Sequence, residues 1–255
     1  MATGRTLQKW VRIYAGGYEL CSDARSIGPL IWQYDIADLT TMCDEVRGGL
    51  PVHARLGIGV LNGVMDNTAS HLHDLPITSG SHVVMIPIGI RAAPAAGDPV
   101  YNGRFYIDGY ESTDDGGASV VNVPFGDWDV ANLINYSKPW GVLLHANGAE
   151  TAVNTAIGID DRGAHTDLGG YMVYQVFASV GTGNVTIKVQ DADTNTNPSF
   201  GDLSGATSGT IANTAIPTAG IVAIGTTAHV HRYLRWQIVL SGITSVTFAL
   251  AFVRI

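Results

Sequence analysis

Alternation of apolar and polar residues with period two recurs along this chain and is sharpest in its last third. In Asn184-Val185-Thr186-Ile187-Lys188-Val189-Gln190, Val185, Ile187 and Val189 share one face and the polar residues the other. That is the pattern of a strand with one buried side. Across residues 232–240, Leu234, Trp236, Ile238 and Leu240 fall on one face, with Tyr233, Arg235 and Gln237 opposite. The closing segment sets Val246, Phe248, Leu250 and Phe252 against Thr247, Ala249 and Ala251, which is apolar enough for burial on both sides. Gly181-Thr182-Gly183 reads as a hairpin turn from a strand over residues 171–178 into the strand at 184–190. Ser241-Gly242 reads as the turn between the last two strands. Residues 139–255 are therefore expected to form an antiparallel β-sandwich, immunoglobulin-like or jelly-roll.

The first half predicts more strands, over residues 10–14 and 18–20 around a hairpin at Ala15-Gly16-Gly17, and over 55–61, 82–90, 100–110 and 119–123. Asp114-Asp115-Gly116-Gly117 is a strong turn between the last two. One or two short helices are expected, at 38–46 and within 66–75, where Asp66 or Asn67 would supply a cap. The fold class is thus all-β, mainly antiparallel, with one or two short helices. Tyr136-Ser137-Lys138-Pro139-Trp140 reads as a junction, because proline fixes φ and interrupts a ladder. It divides the chain into domains 1–138 and 139–255.

Composition changes the picture at the surface. Charged residues make up 14% of the chain, against roughly 25% in an ordinary soluble domain. Lysine occurs only at Lys9, Lys138 and Lys188, and the other basic residues are arginine. Interfaces favour arginine and deplete lysine, because a weakly hydrated guanidinium loses less on desolvation. A surface covered by other copies or by partners explains both features. The net charge is −8, and most of it lies before Ala146, where 15 acidic residues face 9 basic ones. No basic stripe is present to neutralise phosphates, so tight nucleic-acid binding is not expected. The N-terminal residues lack the apolar stretch of a signal peptide. No apolar run reaches the ~18 residues a membrane helix needs, so no membrane partner is expected. Cys21 and Cys43 are too few for a disulfide framework and read as buried thiols.

Candidate chemistry is sparse. His71 and His73 are spaced i, i+2, as are His229 and His231, which on a strand would put two imidazoles on one face. No carboxylate set accompanies the second pair in sequence, and exposed or interface histidines are the expectation. Asp191-Ala192-Asp193-Thr194-Asn195-Thr196-Asn197 places oxygens at alternate positions, with Asp202 at the twelfth. A calcium loop would need glycine where Thr196 stands, and glutamate at the twelfth position. A polar inter-strand loop is expected instead. Glu150, Asp160 and Asp161 form no carboxylate pair of defined spacing. Gly57-Ile58-Gly59 reads as glycine within a strand. Arg235 beside Tyr233, on the presumed polar face, is either a subunit anchor or part of a solvated face. No catalytic residue, cofactor or metal is assigned, and the chain is not expected to be an enzyme.

Several segments resemble the major tail tube proteins of long-tailed, siphovirus-like bacteriophages. They are Trp10-Val11-Arg12-Ile13-Tyr14 with Gly17-Tyr18-Glu19-Leu20, Ser26-Ile27-Gly28-Pro29-Leu30, Asp38-Leu39-Thr40-Thr41-Met42-Cys43-Asp44, Gly59-Val60-Leu61-Asn62-Gly63-Val64-Met65-Asp66 and Met85-Ile86-Pro87-Ile88-Gly89. The second half is similar to sandwich modules appended to phage virion proteins, through Gly141-Val142-Leu143-Leu144-His145, Gly169-Gly170-Tyr171, Val189-Gln190-Asp191 and Arg232-Tyr233-Leu234-Arg235-Trp236. The resemblance implies a tail-tube-like barrel or sandwich in residues 1–138 and a decorating C-terminal sandwich. It implies a homo-oligomer, hexameric or trimeric rings that stack into a hollow tube. Other phage tail proteins would be partners, and genomic DNA would pass through the lumen without specific binding. It also implies a place in the virion tail after synthesis in the host bacterial cytoplasm. The rivals are a capsid decoration or head-fibre protein, and a carbohydrate- or receptor-binding sandwich. The last would need exposed aromatics such as Tyr171, Tyr174, Tyr233 and Trp236.

Overall fold

Two very long strands organise the molecule. The computed structural model describes residues 10–22, 24–38, 49–65, 80–90, 92–107, 109–115, 118–128, 138–160 and 165–255. Its strands are β1 (Tyr14–Ala15), β2 (Tyr18–Glu19), β3 (Ala24–Ile27), β4 (Leu30–Asp38), β5 (Gly49–Val64), β6 (Ser81–Pro87), β7 (Pro99–Ile107) and β8 (Glu111–Asp115). They continue as β9 (Ala118–Trp128), β10 (Trp140–Glu150), β11 (Ile159–Asp160), β12 (Gly170–Ala192), β13 (Gly201–Thr207), β14 (Ile211–Ala212), β15 (Thr218–Ile224) and β16 (Tyr233–Arg254). Every strand pairing among the described residues is antiparallel, so the fold is all-β as the alternation predicted. The short 3-10 turns Asn197–Ser199 and Asn213–Ala215 interrupt it. The two candidate helices lie outside the described residues, apart from Asp38, which ends β4. Among the described residues no helix is long and apolar enough to cross a membrane.

The two C-terminal turns expected from sequence are not hairpins. β12 runs through Gly181-Thr182-Gly183, β16 runs through Ser241-Gly242, and the two strands pair with each other from Gly170↔Arg254 to Ala192↔Tyr233. The register shifts where the glycine dips meet, at Gly181↔Ile243 and Asn184↔Gly242. Gly181, Gly183 and Gly242 all have positive φ, so both strands turn one corner together. The turn chemistry was real, but it bends a ribbon instead of reversing a chain. The bulges also shift the buried parity. Met172, Tyr174 and Val176 face the same core as Val185, Ile187 and Val189 beyond the corner. The ribbon is thus folded over on itself.

This makes the first arm of the ribbon a middle layer. On one side Met172, Tyr174, Val176, Phe248, Leu250 and Phe252 pack against the second arm. On the other side Tyr171, Val173, Ala249, Ala251 and Val253 join a core with Tyr14, Leu61, Met85, Ile86, Tyr101 and Phe105. The double burial expected of the closing segment is therefore realised. Each fully buried Phe or Leu in it contributes roughly 1.5–3 kcal/mol. Packing crosses Lys138 and Pro139: β10 pairs with β7 from Trp140↔Tyr101 to Val142↔Pro99. Gln175, fully buried, accepts the Gly17 N–H at 2.7 Å and donates to the Val83 carbonyl at 2.8 Å.

In the N-terminal part, β1 and β2 form the expected hairpin across Gly16 and Gly17, at φ 61° and 89°. The chain reverses within the expected turn, between Asp115 and Ala118, with Asp114 and Asp115 already paired to Ser119 and Ala118. The strand that enters it is an additional one, β8, and not β7.

Candidate functional site: a projecting strand pair and a histidine–aspartate cluster

The β4–β5 pair extends beyond the rest of the sheet. Residues 30–38 pair with 49–58, while β5 meets β9 and β3 only from Ile58 onward. Among the described residues the outer part of this hairpin is therefore two strands wide. Trp32, Tyr34 and Ile36 share one face of β4 and are exposed by 43%, 43% and 71%. The Trp32 and Tyr34 rings lie 6.2 Å apart. The base is anchored by Tyr101, fully buried on β7, whose hydroxyl lies 2.6 Å from the Ile31 carbonyl and 2.9 Å from that of Gly57. Trp32-Gln33-Tyr34-Asp35-Ile36 carries the period-two signal of a strand, but sequence reasoning passed over it. A two-stranded ribbon is marginal in water by itself. One that displays two aromatics and an isoleucine exposes surface that another molecule would cover.

The second cluster lies where β12 ends and β16 begins. The bridge Thr166↔Val230 sets the loop at 165–168 beside His229. Arg254 donates to the carbonyls of Val230 at 2.8 Å and His231 at 2.5 Å, and Asp191 accepts the His231 N–H at 2.8 Å. These bonds fix the backbone on either side of His231. His229 Nδ1 lies 2.5 Å from Asp167 Oδ1, His229 Nε2 lies 3.2 Å from His231 Nδ1, and His231 Nδ1 lies 2.7 Å from Asp193 Oδ1. The ligand atoms of Asp193, His229 and His231 all lie within 4.8 Å of one another, a grouping able to hold a metal ion. His165 stands beside His229, ring centroids 5.2 Å apart. The hydrogen bond from His229 holds the Asp167 carboxyl below its ordinary pKa. Sequence reasoning found the His229/His231 pair but no carboxylates for it. The fold supplies them from 38 and 62 residues away.

The remaining candidates separate cleanly. His71, His73, Cys43 and Asp161 lie outside the described residues. In the Asp191–Asn197 run, Asp191 accepts from His231, Asn195 from the Gly158 N–H and Asn197 from Arg235. Asp202 pairs with Lys188 at 2.6 Å and accepts from Gln190 at 2.8 Å, which lowers its pKa. These oxygens face the protein's own N–H groups and do not converge on one point. Glu150 bonds His145 Nε2 at 3.0 Å. Ile58, between Gly57 and Gly59, is a buried strand residue.

Arg235 is neither a subunit anchor nor solvated. It is buried, donates to Gln190, Ala156 and Asn197, and lies 4.3 Å from the centre of the Phe200 ring. The 3-10 turn at Asn197–Ser199 and the loop before β11 cover the face that alternation marked as polar. Tyr171 and Tyr174 are buried, and Trp236 packs against the second core beside His145 and Phe248, so they line no open glycan groove. Cys21 is partly buried and accepts from the Ile13 N–H at 3.2 Å, and burial pushes its thiol pKa up to about 11.

No family model matches the chain, and no curated protein matches it. Among solved structures it is similar to the SPP1 Dit (gp 19.1) protein, described as a paradigm of the hub adsorption apparatus in Gram-positive infecting phages. The identity is 12% and the TM-score 0.33, over 95% of this chain and 98% of that one. At that level of likeness the functional reading rests on the chain's own residues.

Proposed function

We propose that this chain is a structural protein of a bacteriophage tail that assembles with copies of itself, and that the β4–β5 hairpin is the arm joining one copy to the next. The observation that carries the reading is the row Trp32, Tyr34 and Ile36, exposed beyond the anchored base of the ribbon and belonging to neither core. The occupant is a second copy. Two strands with an apolar face gain stability by extending a neighbour's sheet, and pairing across subunits removes the open edges. The scarcity of charge, and of lysine in particular, belongs to the same reading. At the finer level, the resemblance of the N-terminal segments supports stacked rings of six or three copies forming a tail tube. DNA would pass along an acidic lumen that does not retain it. Residues 1–138 would supply the ring, and residues 139–255 would decorate its outside.

The test is negative-stain electron microscopy of the concentrated protein, with mass photometry on dilution, for the wild type and for a Trp32→Ser/Tyr34→Ser/Ile36→Ser variant. Rings or tubes with a central channel are expected for the wild type. The variant is expected to remain a discrete monomer with unchanged thermal unfolding, because these side chains contribute to neither core. A wild type that is monomeric at every concentration, or a variant that still forms rings, rejects the arm as the joint.

A further inference from the structure

We propose that Asp193, His229 and His231 form a binding site for a borderline divalent transition metal of the zinc class, with Asp167 as its outer-shell partner. Three features of the geometry point to it. First, a neutral His229 that donates from Nδ1 to Asp167 at 2.5 Å carries its lone pair on Nε2, which is directed at His231 Nδ1 at 3.2 Å. A carboxylate that orients a ligating imidazole in this way is the usual outer shell of a zinc histidine. Second, Asp193 Oδ1 approaches the same His231 Nδ1 at 2.7 Å. Two electron-pair donors therefore converge on a nitrogen that holds one proton between them. A cation in that position binds all three, and the Nδ1 proton of His231 moves to its Nε2. Third, ligands at about 2.0–2.1 Å around a tetrahedral ion lie about 3.3 Å apart. The His229–His231 separation is already 3.2 Å.

The donor set selects the ion. Two imidazole nitrogens and one carboxylate oxygen suit zinc, and by the same chemistry nickel or copper. They do not suit calcium or magnesium, which take oxygen shells of six or more. The side chains of His229 and Asp193 are exposed by 44% and 74%, so the fourth position opens to water. The site lies on backbone already held by Arg254, Asp191 and the Thr166↔Val230 bridge, so little ordering opposes binding. A bound ion would cross-link the residue after β12, Asp193, to the strand entry at 229–231, and the loop at 165–168 would be held to it through the Asp167–His229 bond. This proposal does not depend on self-assembly.

The experiment titrates zinc ion, alone and in competition with a chromogenic chelator, into the full chain and into His229→Gln, Asp193→Asn and Asp167→Asn variants. Thermal midpoints are recorded with zinc, calcium and magnesium. One zinc per wild-type chain is expected, with a midpoint raised by zinc and by neither other ion. His229→Gln and Asp193→Asn should each weaken binding more than tenfold, and Asp167→Asn about tenfold with stoichiometry retained. Without metal all three variants should unfold as the wild type does, since the altered side chains are exposed. Absence of binding at micromolar zinc, or a stoichiometric zinc that survives in the His229→Gln/Asp193→Asn double variant, overturns the proposal. The second outcome would assign the zinc to the other histidines of the chain.

Discussion

At the scale of single residues, the polar groups that matter most are those that sequence patterning could place on a face but could not bury. Arg235 lies opposite Leu234 and Trp236 as alternation requires, yet it is covered by a loop contributed from 35 to 40 positions earlier. Its alternation was legible; its cover was not, because strand periodicity carries no information about what crosses above it. Gln175 is the sharper case. It sits in the middle layer, and its amide links Gly17 of the β1–β2 turn to Val83 of β6. Gln175→Leu keeps the volume but strands the buried Gly17 N–H, which costs about 1–3 kcal/mol, while the Val83 carbonyl keeps the Gly16 N–H at 3.1 Å. A loss of roughly 1–3 kcal/mol is expected in urea unfolding. A loss below about 0.5 kcal/mol would mean that water or a small backbone shift satisfies the Gly17 N–H, and that Gln175 does not tie the layers together.

At the scale of elements, the strands themselves were legible because period-two patterning is local. The segments at 184–190 and 246–252 bury the residues that alternation named. Pairing was not legible, since a positive-φ glycine serves a hairpin and a bent ribbon equally well. The ribbon can be tested at its corner. A Cβ on Gly183, at φ +151°, would lie 1.9 Å from the Ser241 carbonyl oxygen, which is backbone and cannot swing aside. One on Gly201 would meet nothing within 4 Å. Gly183→Ala should therefore destabilise by more than about 2 kcal/mol, through strain and lost pairing. Gly201→Ala should stay within about 0.5 kcal/mol of the wild type. Comparing the two denaturation midpoints removes the general effect of replacing glycine. If residues 181–183 were instead an isolated hairpin turn, no ladder would oppose the new methyl group, and Gly183→Ala would be tolerated nearly as well.

At the scale of the whole molecule, charge and apolar surface act against each other. Every copy carries a net charge of −8, so copies repel at a distance. The arm attracts only at contact, where burying Trp32, Tyr34 and Ile36 contributes roughly 1.5–3 kcal/mol for each side chain fully covered. The two candidate sites were half-visible for the same reason. Trp32, Tyr34 and Ile36 alternate within five residues, and His229 and His231 within three. What completes each site, the free edge of the arm and the carboxylates of Asp193 and Asp167, depends on contacts between distant parts of the chain. The balance of forces predicts the response to salt. Raising ionic strength from about 0.05 M to about 0.5 M shortens the screening length from about 14 Å to about 4 Å. Repulsion between copies then fades, while burial of the arm does not weaken. The assembled fraction, measured by sedimentation velocity at fixed protein concentration, should therefore increase with salt and should be larger in sulfate than in chloride. Ion pairs between copies would give the opposite trend, with assemblies dissolving as salt is added, and the joint would then lie at charged residues and not on the face of β4.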